Sequence, residues 1–397
     1  VEISGEFKGM SAEPGRLFPK TRLAVSLLFL ANGFAVGAWA PKIPEFAGRL
    51  GLGETGLGVM IALFGVGSLI MMPLAGAAIA RSGSRPVALA TALLLAPMLL
   101  LVTLAPDLFT AALVLFLFGG FMGAMDVAMN ANAVAVEKSM RRAIMSSCHA
   151  FWSLGGLMGA ASGGLLIEAF GVLGHSLIAT GVVAFLIVLA WPRTLADPPP
   201  PEQRRAKLKL PLTPLPWLIG MIALFSMVPE GAILDWGALY LKNELQASVP
   251  LSGFAFAAFS LTMAAMRFAG DLVRDRFGAV RTLRASATLG MVGLFIAGSA
   301  SGPGMAIAGF ALAGIGIANM SPIIYSAAGN APGLAPGIGL SIATTLGYSG
   351  ILVAPSVIGF IAAHTGLGTV FMAMPVLALA VLSLSHLARH ADRPGGH

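Results

Sequence analysis

The chain has 397 residues, of which 57% are hydrophobic and only 10% charged, with a formal net charge of +7. A soluble domain carries about 25% charged residues, and mean hydropathy here is +0.88, so a water-facing surface over a chain of this length is excluded. Nucleic-acid binding is excluded as well, because the basic residues lie between apolar runs rather than on one polar face.

A helix needs about 20 apolar residues to cross a bilayer. Twelve such segments are predicted in chain order, at 22–44, 54–80, 86–105, 108–136, 142–169, 173–192, 214–241, 250–272, 281–300, 304–326, 335–362 and 368–388. Residues 1–20 form a tail, in which 1–9 (VEISGEFKG) precede Met10 and read as a remnant of cloning. The first apolar run is too long for a cleaved signal peptide and lacks a small-residue cleavage site. The expected organisation is a six-helix bundle over 21–192, a linker over 193–213, a second bundle over 214–388 and a tail over 389–397. The linker, PRTLADPPPPEQRRAKLKLPL, is proline-rich and basic, and reads as a tether between bundles.

Lysine and arginine set the orientation. With the N-terminus inside, 20 of the 24 fall on the cytoplasmic side, Lys42, Arg49 and Lys242 fall outside, and Arg267 stays within a helix. That bias is the positive-inside pattern, and it places both termini in the cytoplasm. The two halves also repeat. Arg81-Ser82-Gly83 and Arg276-Phe277-Gly278 are 195 positions apart, as are the segments 163–172 (GGLLIEAFGV) and 358–367 (IGFIAAHTGL). Gly120 and Gly314 sit in similar surroundings, and Trp39 and Trp236 correspond on the outer parts of helices 1 and 7. Internal repeats of membrane helices mark secondary transporters, with the solute site between the repeats.

These features resemble the major facilitator superfamily. Its motif between helices 2 and 3, Gly-x-x-x-Asp-Arg-x-Gly-Arg, is matched by Gly76, Arg81, Gly83 and Arg85, with Ala80 in place of the acid. The second half carries Gly270, Asp271, Asp275, Arg276 and Gly278, which keeps the acid and the arginine. Asp126-x-x-x-Asn130, His149-Ala-Phe-x-Ser153, Glu230 with Asp235-Trp236, and Arg267-Phe268-x-Gly270 resemble a bacterial subfamily near the fucose–proton symporters. The resemblance implies an all-α fold of twelve helices in two pseudo-symmetric bundles. It also implies a central site between helices 1, 4, 5, 7, 10 and 11. The Gly-Pro motif of drug–proton antiporters is absent from helix 5; Gly155, Gly159 and Gly163 read instead as a close-packing face.

Ionisable groups inside the membrane cost at least ~2.5 kcal/mol, so each is expected to face a partner or a cavity. Asp126 and Glu230 are the candidates for coupling, protonation or solute binding; Asp126 also reads as a neutral or bonded acid that ties helices together. Asn32, Asn130, His149, Trp152, Asn319, Thr345 and Tyr348 are the candidates for solute contact. Lys42, Asp235 and Trp236 are read as an outer gate, with Lys42 paired to Asp235 or Glu230 in the inward-open state. Arg81, Arg85, Arg267, Asp271, Asp275 and Arg276 are assigned to the cytoplasmic hinge. Arg267 is expected to pair with Asp271 one turn away, and depth counting keeps it out of reach of Glu230. Glu137 is expected in a surface pair with Arg141 or Arg142, and Asn132 is expected beside His149.

Cys148 and His149 are adjacent on a helix and point about 100° apart, so no catalytic dyad is expected. No metal spacing or phosphate loop is present in the sequence, and no cofactor is expected. The reading is a proton-coupled symporter for a small neutral or zwitterionic solute. It sits in a bacterial inner membrane, acts as a monomer and needs no partner beyond solute, proton and lipid. A proton-driven exporter, a non-transporting receptor and a membrane-embedded enzyme are the alternatives.

Overall fold

The computed structural model of the chain describes residues 19–52, 54–199, 211–252, 254–334 and 336–392. Residues 1–18 of the predicted tail, most of the basic linker and the last five residues lie outside the described residues. All regular structure among the described residues is helical.

Among the described residues, eleven helical spans are long and apolar enough to cross a membrane. One of them, Met145–Ala190, is broken at Gly171, whose φ of 69° and ψ of 173° lie outside the helical region, so it counts as two. The spans are α1 (Lys20–Gly37), α2 (Glu54–Ser82), α3 (Ser84–Leu104), α4 (Leu108–Met140), α5 (145–170) and α6 (172–190). The second set is α7 (Leu215–Asn243), α8 (Phe254–Phe277), α9 (Ala279–Gly298), α10 (Pro303–Gly329), α11 (Pro336–Thr365) and α12 (Leu367–Ala391). Breaks fall where the backbone chemistry demands them. Pro97 interrupts α3, α10 steps at Ala318–Asn319, and α7 carries Pro229 directly before Glu230. Proline removes an N–H and crowds the preceding turn, so such helices bend.

Glycine governs the packing. A Cβ on Gly33 would lie 2.0 Å from the Trp152 carbonyl oxygen, and one on Gly155 would lie 2.2 Å from that of Leu30. Gly159 approaches the Phe34 carbonyl in the same way, so α1 and α5 touch backbone to backbone along the predicted small-residue face. Large apolar side chains such as Phe109, Leu165, Leu261 and Phe360 point outward, as a lipid-facing surface requires.

The repeat is visible in the bonds. Asp197, just after α6, accepts from the backbone N–H groups of Ser84 and Arg85 and caps α3. Asp392, just after α12, accepts from Ala279 N–H and caps α9. The turns before these helices are Gly83 and Gly278, with φ of 86° and 79°, a region that side chains other than glycine's rarely enter. Burial pushes the Asp197 carboxyl above the usual carboxylate range, against the pull of its hydrogen bonds from Ser84 and Arg85.

Candidate solute and coupling site

The helices that meet most extensively across the two halves are α2 with α11 and α5 with α8. At the face that carries both ends of the described chain, the α5–α8 seam is ionic. Asp271 of α8 accepts from the Ser146 and Ser147 N–H groups at the start of α5, at 2.9 and 3.1 Å, and pairs with Arg22 of α1 at 3.4 Å. Arg274 pairs with Glu137 of α4 at 2.9 Å and also donates to the Ala391 carbonyl. Glu137 accepts in addition from Ile144 and Met145 N–H and from Ser326. Asp275 pairs with Arg142 and accepts from Ala143 N–H. These carboxylates sit at a helix N-terminus, where unsatisfied N–H groups and the helix dipole favour negative charge. The α2–α11 seam is built differently. A Cβ on Gly76 would lie 2.5 Å from Ser341 Oγ, so that contact closes by proximity.

One stripe of α8 thus runs Arg267, Asp271, Arg274, Asp275, spaced by four, three and one. Its upper member reaches the centre of the molecule. Arg267 donates to Ser153 Oγ of α5 at 2.9 Å, to the Ala318 carbonyl at 3.3 Å and to Glu230 of α7 at 3.3 Å. Arg267 is 5% exposed and the Glu230 side chain 26%, so the pair is buried at the arginine and partly open at the carboxylate.

Around it lie the polar groups of the first half. Asn130 Nδ2 donates to the Asp126 carbonyl at 2.9 Å and approaches the Asp126 carboxylate at 3.4 Å. Asn130 Oδ1 is 3.2 Å from His149 Nε2. The His149 ring meets Phe29 edge-on at 5.2 Å and Tyr325 at 5.6 Å between centroids. Trp152 Nε1 donates to Asn32 Oδ1 at 2.9 Å, and Asn32 donates to the Met122 carbonyl. Asp126 is 3% exposed, and its Oδ2 has no hydrogen-bond partner. It lies within electrostatic reach of Tyr325 and Tyr348. The side-chain amide of Asn319 and the Thr345 hydroxyl are also buried without partners.

Several sequence expectations change. Arg267 does reach Glu230, and Asp271 pairs with Arg22 rather than with Arg267. Depth counting treats helices as upright and unbroken, whereas Glu230 follows Pro229 and arginine has a long reach. Glu137 is not in a surface pair with Arg141 or Arg142; it is 6% exposed and bound to Arg274. Arg141 closes α4 in a left-handed conformation and Arg142 turns to Asp275. Asn132 bonds Ser84 and the Leu195 carbonyl, and Asn130 is the neighbour of His149. Lys42 is fully buried and donates to Thr103 and to Ser176, the latter at 2.5 Å, within its own half. The pair with Asp235, expected for the inward-open state, is absent from this conformation, in which Asp235 is exposed and Trp236 Nε1 has no partner. Arg81 and Arg276 are exposed, while Arg85 donates to the Trp191 carbonyl.

Sequence reasoning passed over Tyr325, Ser326, Arg274, Asp197 and Asp392. The last two were legible, because they stand 195 positions apart like the glycines they accompany.

A buried lysine whose hydrogen bonds go to hydroxyls and not to a carboxylate is replaceable by an apolar residue of similar length at little cost. Lys42→Met is therefore expected to keep or raise the melting temperature in a thermal unfolding assay, since Thr103 and Ser176 still bond each other at 2.7 Å. A drop of several degrees would restore a structural role for the charge.

Residues 25–234 and 220–397 each match the sequence profile of the Major Facilitator Superfamily. An MFS-type transporter of Yersinia pestis is 34% identical over 373 residues, covering 91% of this chain and 94% of the relative. Among solved structures, the E. coli fucose:proton symporter FucP in its outward conformation superposes with a TM-score of 0.73 at 17% identity, covering 92% of this chain and 97% of FucP. The proton:xylose symporter XylE superposes at 0.72 and 15%, covering 91% and 94%.

Proposed function

This chain belongs to the major facilitator superfamily and is a multi-pass membrane transporter, and from that premise we propose that it carries a small polar solute by alternating access, coupled to proton symport. Residues 21–192 and 214–388 act as the two bundles, and a solute binds between them at the central cluster. The face closed by the α5–α8 ionic seam is cytoplasmic, in keeping with the basic residues gathered there. The solute is then met from outside, as in the outward conformation described for FucP.

The observation that carries the coupling is Asp126. Its carboxylate is buried at the centre of the polar cluster with one oxygen unpartnered. An ionised carboxylate without a partner in such a place bears a desolvation cost of several kcal/mol, which a bound proton removes. The two sequence candidates therefore take different tasks. Asp126 carries the proton, and Glu230 holds Arg267 in an ion pair that ties α7 and α8 to Ser153 of α5. Releasing that tie accompanies the rocking of one bundle against the other. Two of the structures this fold superposes on are proton symporters by description, which supports the same reading. The test is solute-driven proton influx into liposomes with Asp126→Asn as the decisive variant. Proton efflux during solute uptake would replace symport with antiport.

A further inference from the structure

The central cluster divides into groups already engaged and groups left over. Beside His149 the donors are engaged. Trp152 Nε1 is held by Asn32, and the Asn130 amide by Asp126. Arg267 spends its three nitrogens on Ala318, Ser153 and Glu230, and its charge is matched by that of Glu230. Left without partners are Asp126 Oδ2 and one nitrogen of His149, together with the Asn319 side-chain amide and the Thr345 hydroxyl.

The chemistry of Asn130 decides which nitrogen that is. Its Nδ2 lies 2.9 Å from the Asp126 carbonyl oxygen and 3.4 Å from a carboxylate oxygen. Both of these accept, so the NH2 group must face them and the amide oxygen must face His149. An amide oxygen only accepts, so the His149 nitrogen at 3.2 Å, Nε2, carries the hydrogen. In the neutral ring the other nitrogen, Nδ1, is then a lone-pair acceptor. Among the described residues Nδ1 has no hydrogen-bond partner, and the ring is only half-buried.

We propose that Asn130 is a positioning residue that locks His149 in the Nε2–H tautomer, so that His149 Nδ1 accepts a hydrogen bond from a neutral, hydroxyl-bearing solute and disfavours a carboxylate placed against it. A carboxylate placed against Nδ1 would bring lone pairs and negative charge to a nitrogen lone pair. The one cation nearby is neutralised by its own partner. This rests on the solute-transport reading above and adds a specificity rule to it.

The tautomer is read by 15N NMR on protein labelled at its six histidines and reconstituted in liposomes, with His149→Gln assigning the signal. A neutral ring protonated at Nε2 alone is expected, and Asn130→Leu is expected to yield a mixture of both tautomers. An Nδ1–H ring or an imidazolium in the wild type overturns the proposal without any variant having to fold. Selectivity is read by competition for uptake, using neutral aldoses and polyols each paired with its aldonate or sugar acid. The neutral member is expected to compete at least about tenfold better, and that ratio is expected to shrink in Asn130→Leu while uptake itself persists at higher KM. Equal competition by both members overturns the specificity rule. Uptake of no solute at all would count against the transport reading, while the NMR result still decides the tautomer.

Discussion

Gly33→Val is expected to prevent α1 from seating on α5 and to cost the fold about 3 kcal/mol or more. Even the first carbon of a side chain would lie 2.0 Å from the Trp152 carbonyl oxygen and 2.9 Å from its carbonyl carbon. Neither atom can swing aside, because both belong to the backbone of a packed helix. The whole of α5 must retreat, and with it Trp152, whose indole N–H is bonded to Asn32 next door to Gly33. The loss therefore reaches the central site as well as stability. Gly181→Ala is the control, since nothing lies within 4 Å of a Cβ there. Detergent-solubilised protein should show a large drop in melting temperature or in monodisperse yield for Gly33→Val and little change for Gly181→Ala. Equal behaviour of the two would refute the close approach of α1 and α5.

Glu137→Ala is expected to open the closed face. Glu137 and Arg274 are both buried, and removing one partner of a buried ion pair typically costs 3–5 kcal/mol because the other charge stays unpaired. The cost of the lost ion pair falls on one conformation only, while the bonds to Ile144 and Met145 N–H, within the same half, are lost in both. Glu137 belongs to α4 and Arg274 to α8, so their bond exists while the halves meet at that face. Destabilising that state by even about 1.4 kcal/mol shifts the balance between states tenfold. The sole cysteine, Cys148, is replaced by alanine, and Ser146→Cys supplies a thiol at the α5–α8 seam, where Ser146 is now 2% exposed. Maleimide labelling at that position is expected to be slow in the parent and at least about tenfold faster with Glu137→Ala. An unchanged rate would mean that the pair does not hold the face shut.

The membrane spans were legible because hydropathy is a one-dimensional quantity and bilayer thickness sets its length. All twelve predicted segments overlap helices of the structure, including the pair joined at Gly171. The repeat was legible for the same reason, since duplicated turns keep their spacing: Gly83 and Gly278 prove to be left-handed turns at equivalent places. Partner choice was not legible. Whether Asn130 or Asn132 meets His149 depends on helix rotation, and residues two apart on a helix point about 160° apart. Whether Arg267 turns toward Glu230 or Asp271 depends on how α7 and α8 lean, and sequence spacing favours the neighbour one turn away. Glu137 misled for a third reason. Its basic neighbours in sequence suggested a surface pair, while its real partner comes from the other half of the chain, 137 positions away.

The loss of the acid at Ala80 acquires meaning beside the intact second copy. Asp275 stands at the equivalent place and bonds the backbone at the start of α5, whereas the first-half contact relies on Gly76 pressed against α11. The two seams of the closed face are thus unequal, one ionic and one steric. The ionic seam adjoins Arg267 and hence the candidate coupling site.

The central claim is that Asp126 carries the proton that travels with the solute. The most direct measurement uses purified protein in liposomes loaded with a pH-sensitive dye and challenged from outside with neutral aldoses, polyols and amino acids. Internal acidification is expected with at least one solute. In Asp126→Asn that signal should vanish while exchange of labelled against unlabelled solute continues, since exchange needs no net proton movement. Acidification of the same size in Asp126→Asn, or saturable wild-type uptake without any pH change, would contradict the claim and return Asp126 to a structural role.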